Sequence, residues 1–137
     1  MSVPETQSDP TNRNVRLIPG GIYKLKDDLV KFPDTEARNL RTRHDHRTVL
    51  VMSSAAVCHS DDYGCVIVAP MSHLVKYCAG VDVIVNPSRQ NGLNAPGRVL
   101  LSYMQPAIKT DLTTKIGVMS DEDWQVIMAA VISGLDH

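Results

Sequence analysis

The chain has 137 residues, a formal net charge of −1, 43% hydrophobic residues and 4% aromatic residues. That length suits one packed core rather than two, and near-neutrality excludes a generally cationic coat, so any anion must be held by a local patch. Scarce aromatics exclude a broad platform for stacking bases, and no apolar run is long enough to cross a bilayer.

In chain order, residues 1–14 are polar, carry Pro4 and Pro10 and lack apolar periodicity, which predicts a disordered tail before a single domain over 15–137. Pro19-Gly20-Gly21 reads as a turn. Ile22 to Lys26 then alternates apolar and charged residues, as a half-exposed strand does. Asp27 to His46 is a long polar segment anchored by Leu29, Val30, Phe32 and Leu40. Its end, Arg38 to Arg47, is the most cationic stretch of the chain. Loops of this length are often functional.

Two apolar runs follow, Arg47 to Ser53 and Cys65 to Ser72, each short, rich in β-branched residues and bounded by polar residues. They read as buried strands. The link His59 to Gly64 is too short for a crossover helix, so an antiparallel pair is expected. The start of one strand then lies near the end of the other, which brings Arg47 toward Ser72. Leu74 to Ala79 reads as a loop, Val81 to Val85 as a third core strand and Ser88 to Gly97 as a surface loop. Arg98 to Met104 reads as a fourth strand, with shorter ones near Ala107 to Lys109 and Lys115 to Val118. From Ser120 the period becomes helical: Ser120 caps, Asp121, Glu122 and Asp123 follow, and Trp124, Ile127, Met128, Val131, Ile132 and Leu135 form one apolar stripe ending near Gly134. Cys58, Cys65 and Cys78 form no paired motif and are expected to be packing residues in a reducing cytoplasm.

Four of these segments, in this order, resemble the MazF/PemK family of toxins from type II toxin–antitoxin systems. Its members typically open with Gly-Asp-Ile-Tyr, and Gly20-Gly21-Ile22-Tyr23 matches except at the acid. The family's second strand usually reads Arg-Pro-Val-Leu-Val-Val-Ser; Arg47 to Ser53 agrees apart from Thr48 and Met52. Its third reads Val-Ile-Val-Ala-Pro-Ile-Thr, matched by Val66 to Ser72 with Met71 and Ser72 as close substitutes, and a helix opening with Ser-Asp-Glu closes both. The resemblance spans residues 19–135 and implies a mainly β fold with a C-terminal helix, a small SH3-like antiparallel β-barrel. It departs at Leu100 to Pro106, where the family commonly has Leu-Leu-Asp-Gln-Ile-Arg-Thr: the acid meets Ser102 and the arginine is missing.

The resemblance implies a sequence-selective, metal-independent endoribonuclease that needs no cofactor, acts on single-stranded RNA as a homodimer and is neutralised by a cognate antitoxin. Cleavage by the ribose 2′-hydroxyl needs a base, an acid and donors for the charged phosphorane. Arg47 has the planar, permanently charged fork for the last role, and Ser72 aligns with the family threonine beside the scissile phosphate. Ser102 leaves the base open among His44, His46 and His73; His46 is the candidate base and His73 a further candidate. Arg38, Arg41, Arg43 and His44 are candidate RNA contacts, the arginines alternatively an antitoxin surface. Three other readings stand beside this one. The barrel can be a catalytically degenerate binding module. It can poison a protein such as DNA gyrase, although the polar Asp136-His137 ending offers no apolar docking residues. Lastly, His44-Asp45-His46 with His59 can bind a metal, although no standard zinc spacing is present.

Overall fold

The computed structural model describes residues 15–33, 44–75 and 80–135. The expected tail, Leu40, Cys78 and the candidate contacts Arg38, Arg41 and Arg43 lie outside the described residues. Strands β1 (Gly21–Lys26), β2 (His46–Val51), β3 (Cys65–Ser72), β4 (Val83–Val85), β5 (Gly97–Val99), β6 (Gln105–Ile108) and β7 (Lys115–Val118) form one antiparallel sheet. Its order is β4-β5-β3-β2-β1-β7, with β6 also on β3, and it curls into a half-barrel. Helix α1 (Ala55–His59) links β2 to β3, and helix α2 (Asp121–Leu135) follows β7.

The sheet is buried on both faces because side chains alternate along each strand. Tyr23, Leu25, Val49, Val51, Val66 and Val68 face an interior core shared with Val30, Phe32, Leu100 and Leu112. Ile22, Leu50, Ala69, Met71 and Val99 face a second core that α2 covers through Ile127. Val49, Leu50 and Val51 are therefore all fully buried, which is why β2 reads as a continuous apolar run. At the start of β1, Gly20 takes a positive φ of 78° in the turn. A Cβ on Gly21 would stand 2.6 Å from the Tyr23 ring, so the glycine pair is dictated by geometry.

Several expectations need correction. The β2–β3 pairing is antiparallel as read, with Val49 opposite Pro70, but β2 stops at Val51 and α1 fills part of the connection. Ser54 caps that helix by accepting the Val57 N–H at 3.4 Å. Arg98 to Met104 is not one strand: β5 ends at Val99 and a 3-10 turn, Leu101–Tyr103, intervenes before β6. Continued from Met71 opposite Val99, an unbroken ladder would set Val68 against Ser102; it faces Gln105 instead, three residues on. The turn is an insertion of its own length, and it ejects Ser102 into solvent.

Leu29 is exposed, whereas Asp27 is fully buried, because the inward parity of Tyr23 and Leu25 continues into the 3-10 turn Asp27–Leu29. Cys58 is buried as expected, but Cys65 is exposed at the open start of β3. Far from being a plain surface loop, residues 86–93 fold around buried Asn91, whose Oδ1 accepts from Ser88 N–H at 2.9 Å and Leu93 N–H at 3.0 Å. Ser120 caps α2, accepting the Asp123 N–H at 3.1 Å. Of the stripe, Ile127 is fully buried and Trp124, Met128 and Val131 are half-buried. Ile132 is 61% exposed, because the sheet covers a narrower face than the periodicity offered, and Leu135 falls outside the residues described at side-chain level.

Candidate active site

Strand β3 changes partners along its length. Its residues Val68 to Pro70 pair with β2, whereas Met71 and Ser72 pair with β5 on the opposite edge. Beyond Val49 and Pro70 the β2 and β3 ladder ends, and the two strands diverge. A cleft of about 590 Å³ opens in this fork. Because the strands have separated, both faces of their ends reach it: His46, Arg47 and Thr48 on one side, Met71, Ser72 and His73 on the other. Leu93, Ala95, Gly97 and Arg98 form a further wall, and Phe32, Leu100 and Tyr103 also line it.

Arg47 bridges the fork. Its Nη1 donates to the Met71 carbonyl at 3.1 Å, and its Nε donates to Asp27 Oδ1 at 3.0 Å. The guanidinium carbon lies 4.9 Å from the Phe32 ring centroid, a cation–π contact. Phe32 is itself set edge-on to Tyr103 with centroids 5.0 Å apart. The other oxygen of Asp27 accepts the His44 backbone N–H at 2.8 Å, so one buried carboxylate holds both Arg47 and the start of the segment leading into β2. Removing that carboxylate from water is tolerated because it is paired and hydrogen-bonded. Arg47 keeps 13% of its side chain exposed, and its remaining fork of donors can take an oxyanion.

A second guanidinium stands across the cleft. Arg98 is the β5 partner of Ser72, so both side chains leave the same face of the sheet. Behind it lies Asp82, with Oδ2 3.5 Å from Arg98 Nε. Burial pushes the Asp82 carboxyl above the usual aspartate range, against the opposing pull of Arg98 and a backbone hydrogen bond from Leu101. Ser72 Oγ accepts the Leu74 N–H at 3.1 Å, which orients the hydroxyl and leaves its proton to be donated elsewhere. Among the described residues that line the cleft there is no carboxylate; the titratable groups are Arg47, Arg98, Tyr103, His44, His46 and His73.

The structure thus brings together Arg47, Ser72, His46, His73 and His44 from the sequence reading. His59 stands apart, on α1 beyond the far end of β2, with Nε2 3.1 Å from the Leu17 carbonyl. That separates it from His44 and His46, and no metal-binding set of three His, Cys, Asp or Glu side chains occurs among the described residues. Sequence reasoning passed over Asp27 and Arg98. Asp27 was legible as the next inward position after Tyr23 and Leu25. Arg98 opens an apolar run just as Arg47 does.

Comparison with known proteins defines the class. Residues 29–135 match the model for the PemK-like, MazF-like toxin of type II toxin-antitoxin systems. The chain belongs to that family. Among solved structures it is similar to the Mycobacterium tuberculosis toxin MazF-mt6, at 23% identity and a TM-score of 0.62, over 85% of this chain and 96% of that one. It is also similar to a solved structure described as an Mtb toxin, at 26% identity and a TM-score of 0.56, over 64% of this chain and 91% of that one. A mycobacterial endoribonuclease in complex with its cognate antitoxin aligns at 15% identity and a TM-score of 0.62, over 87% and 94%. No curated protein sequence matches. Among the described residues no helix is long and apolar enough to cross a membrane.

Proposed function

We propose that the chain is an endoribonuclease toxin that cleaves single-stranded RNA, works in the cytoplasm without a metal cofactor and is neutralised by a cognate antitoxin. Family membership and the fold shared with a mycobacterial endoribonuclease support the class. The observation that carries the mechanism is the convergence of Arg47 and Ser72 on one cleft with several imidazoles.

In this reading a phosphodiester lies across the fork. The Arg47 fork and the Ser72 hydroxyl donate to its non-bridging oxygens as charge builds on the phosphorane. The 2′-oxygen attacks phosphorus, and its proton passes to an imidazole, for which His46 is the candidate. The bond to the 5′-oxygen breaks, and that oxygen takes a proton from a second imidazole, for which His73 is the candidate. The products are a 2′,3′-cyclic phosphate and a 5′-hydroxyl, with protons balanced between the two rings. A homodimer belongs to the same reading: Ile67 and Ile108 are exposed on the outward face of paired strands β3 and β6, where a second copy can cover them.

The test is cleavage of a long single-stranded RNA in excess EDTA. Discrete fragments with 5′-hydroxyl ends are expected, with the rate falling by about 10²–10³ in Arg47→Ala. Arg47→Lys, which keeps a cation beside Asp27, separates lost catalysis from lost folding. Fragments of undiminished yield from both variants would overturn the assignment, as would complete inhibition by the chelator. The absence of a carboxylate from the described cleft lining favours one second reading, a binding module without cleavage; RNA retained but left intact would establish it.

A further inference from the structure

The mechanism above leaves Arg98 without a task, although it is the second guanidinium on the cleft. Ser72 stands between the two arginines: β2, β3 and β5 are neighbours in the sheet, and Arg98 pairs with Ser72 directly. Two forks rooted on different strands of one cleft, with a hydroxyl on the strand between them, suit a chain of anions better than one isolated anion. Arg98 is also oriented without being saturated. Its Nε is buried with no hydrogen-bond partner among the described residues, and Asp82 stands at 3.5 Å. Its side chain remains 15% exposed at the cleft.

We propose that Arg98 forms a second phosphate subsite, gripping the backbone phosphate next to the scissile one on a single strand of RNA. The inference rests on the endoribonuclease reading and assigns to that site a substrate spanning at least two consecutive phosphates. An RNA backbone fits better than an acidic peptide because the hydroxyls of Ser72 and Thr48 on the same cleft can hydrogen-bond the ribose 2′-hydroxyls that lie between successive phosphates and that a carboxylate side chain lacks.

The experiment measures binding of a 2′-O-methyl single-stranded RNA oligonucleotide, which cannot attack its own phosphate, by fluorescence anisotropy over a series of KCl concentrations. Arg98→Gln is expected to weaken binding roughly tenfold and to flatten the slope of log K against log salt by about 0.7, one phosphate's share on a single strand. The double variant Asp82→Asn/Arg98→Gln removes the ion pair as a unit and keeps the fold neutral there; it is expected to show the same loss. Recovery of wild-type affinity and slope in the double variant would make Arg98 a structural partner of Asp82 and overturn the proposal. So would an unchanged slope in Arg98→Gln accompanied by lost binding of a polyglutamate peptide. Cleavage of unmodified RNA is followed in parallel. An altered slope without wild-type cleavage sinks the nuclease reading and keeps the subsite, whereas cleavage with an unaltered slope does the reverse.

Discussion

The two arms of the cleft are built from the same parts and differ in tightness. Arg47 makes a 3.0 Å hydrogen bond to a carboxylate with no exposure, donates to the Met71 carbonyl and rests on the Phe32 ring. Arg98 faces a carboxylate at 3.5 Å and makes no hydrogen bond through Nε among the described residues. An arm held at several points costs little to reorganise when charge develops, as stabilising a transition state requires. An arm held by one longer contact can adjust to a flexible ligand. The difference teaches that a residue type does not define a role; the number of groups that hold the residue in place does.

The largest effect tests the rigidity of the first arm. Arg47→Ala leaves the buried Asp27 carboxylate without its guanidinium and should cost about 3–5 kcal/mol in urea denaturation. Adding Asp27→Asn should recover a large part of that loss. A cost within the range of an exposed ion pair, below about 1 kcal/mol, would erase the contrast between the arms.

A smaller effect concerns the wall beside Arg98. Asn91→Ala strips the acceptor from the Ser88 and Leu93 N–H groups and the donor from the Asn86 carbonyl. A loss of about 2 kcal/mol is expected. Because this loop carries Leu93 to the Arg98 side of the cleft, KM for RNA should rise more than kcat falls. An equal fall in kcat would instead tie the loop to the Arg47 arm.

The smallest effect is a pH slope. Burial raises the Asp82 carboxyl in the folded state, and a raised carboxyl contributes stability in acid that is lost as pH climbs from the ordinary aspartate value through the folded one. Denaturation midpoints across that window should fall with rising pH in the wild type and fall less in Asp82→Asn. A steeper fall in the variant would show that the Arg98 pairing outweighs desolvation and that the second arm is tighter than its geometry suggests.

Much of the frame was legible because it follows from local rules. The β3 bounds, the antiparallel pairing with β2 and the Ser120 cap were read from β-branched runs, a short link and a hydroxyl before three acids. The place of the cleft was legible too, since antiparallel pairing alone sets the start of β2 beside the end of β3. What misled was register. Nothing local marks Leu101 to Tyr103 as an insertion, because its apolar residues suit a strand equally well; only the demand of β3 for two successive partners along one edge reveals it.

From the residues alone, then, came most of the strands, the pairing of β2 with β3, the C-terminal helix and the family, because hydrophobic periodicity and turn chemistry act over a few residues. The burial of Asp27, the folding of 86–93 around Asn91 and the meeting of Arg98 with Ser72 were decided only in three dimensions. Charge pairing across distant segments depends on which strands become neighbours, and that choice is made by the energy of the whole sheet.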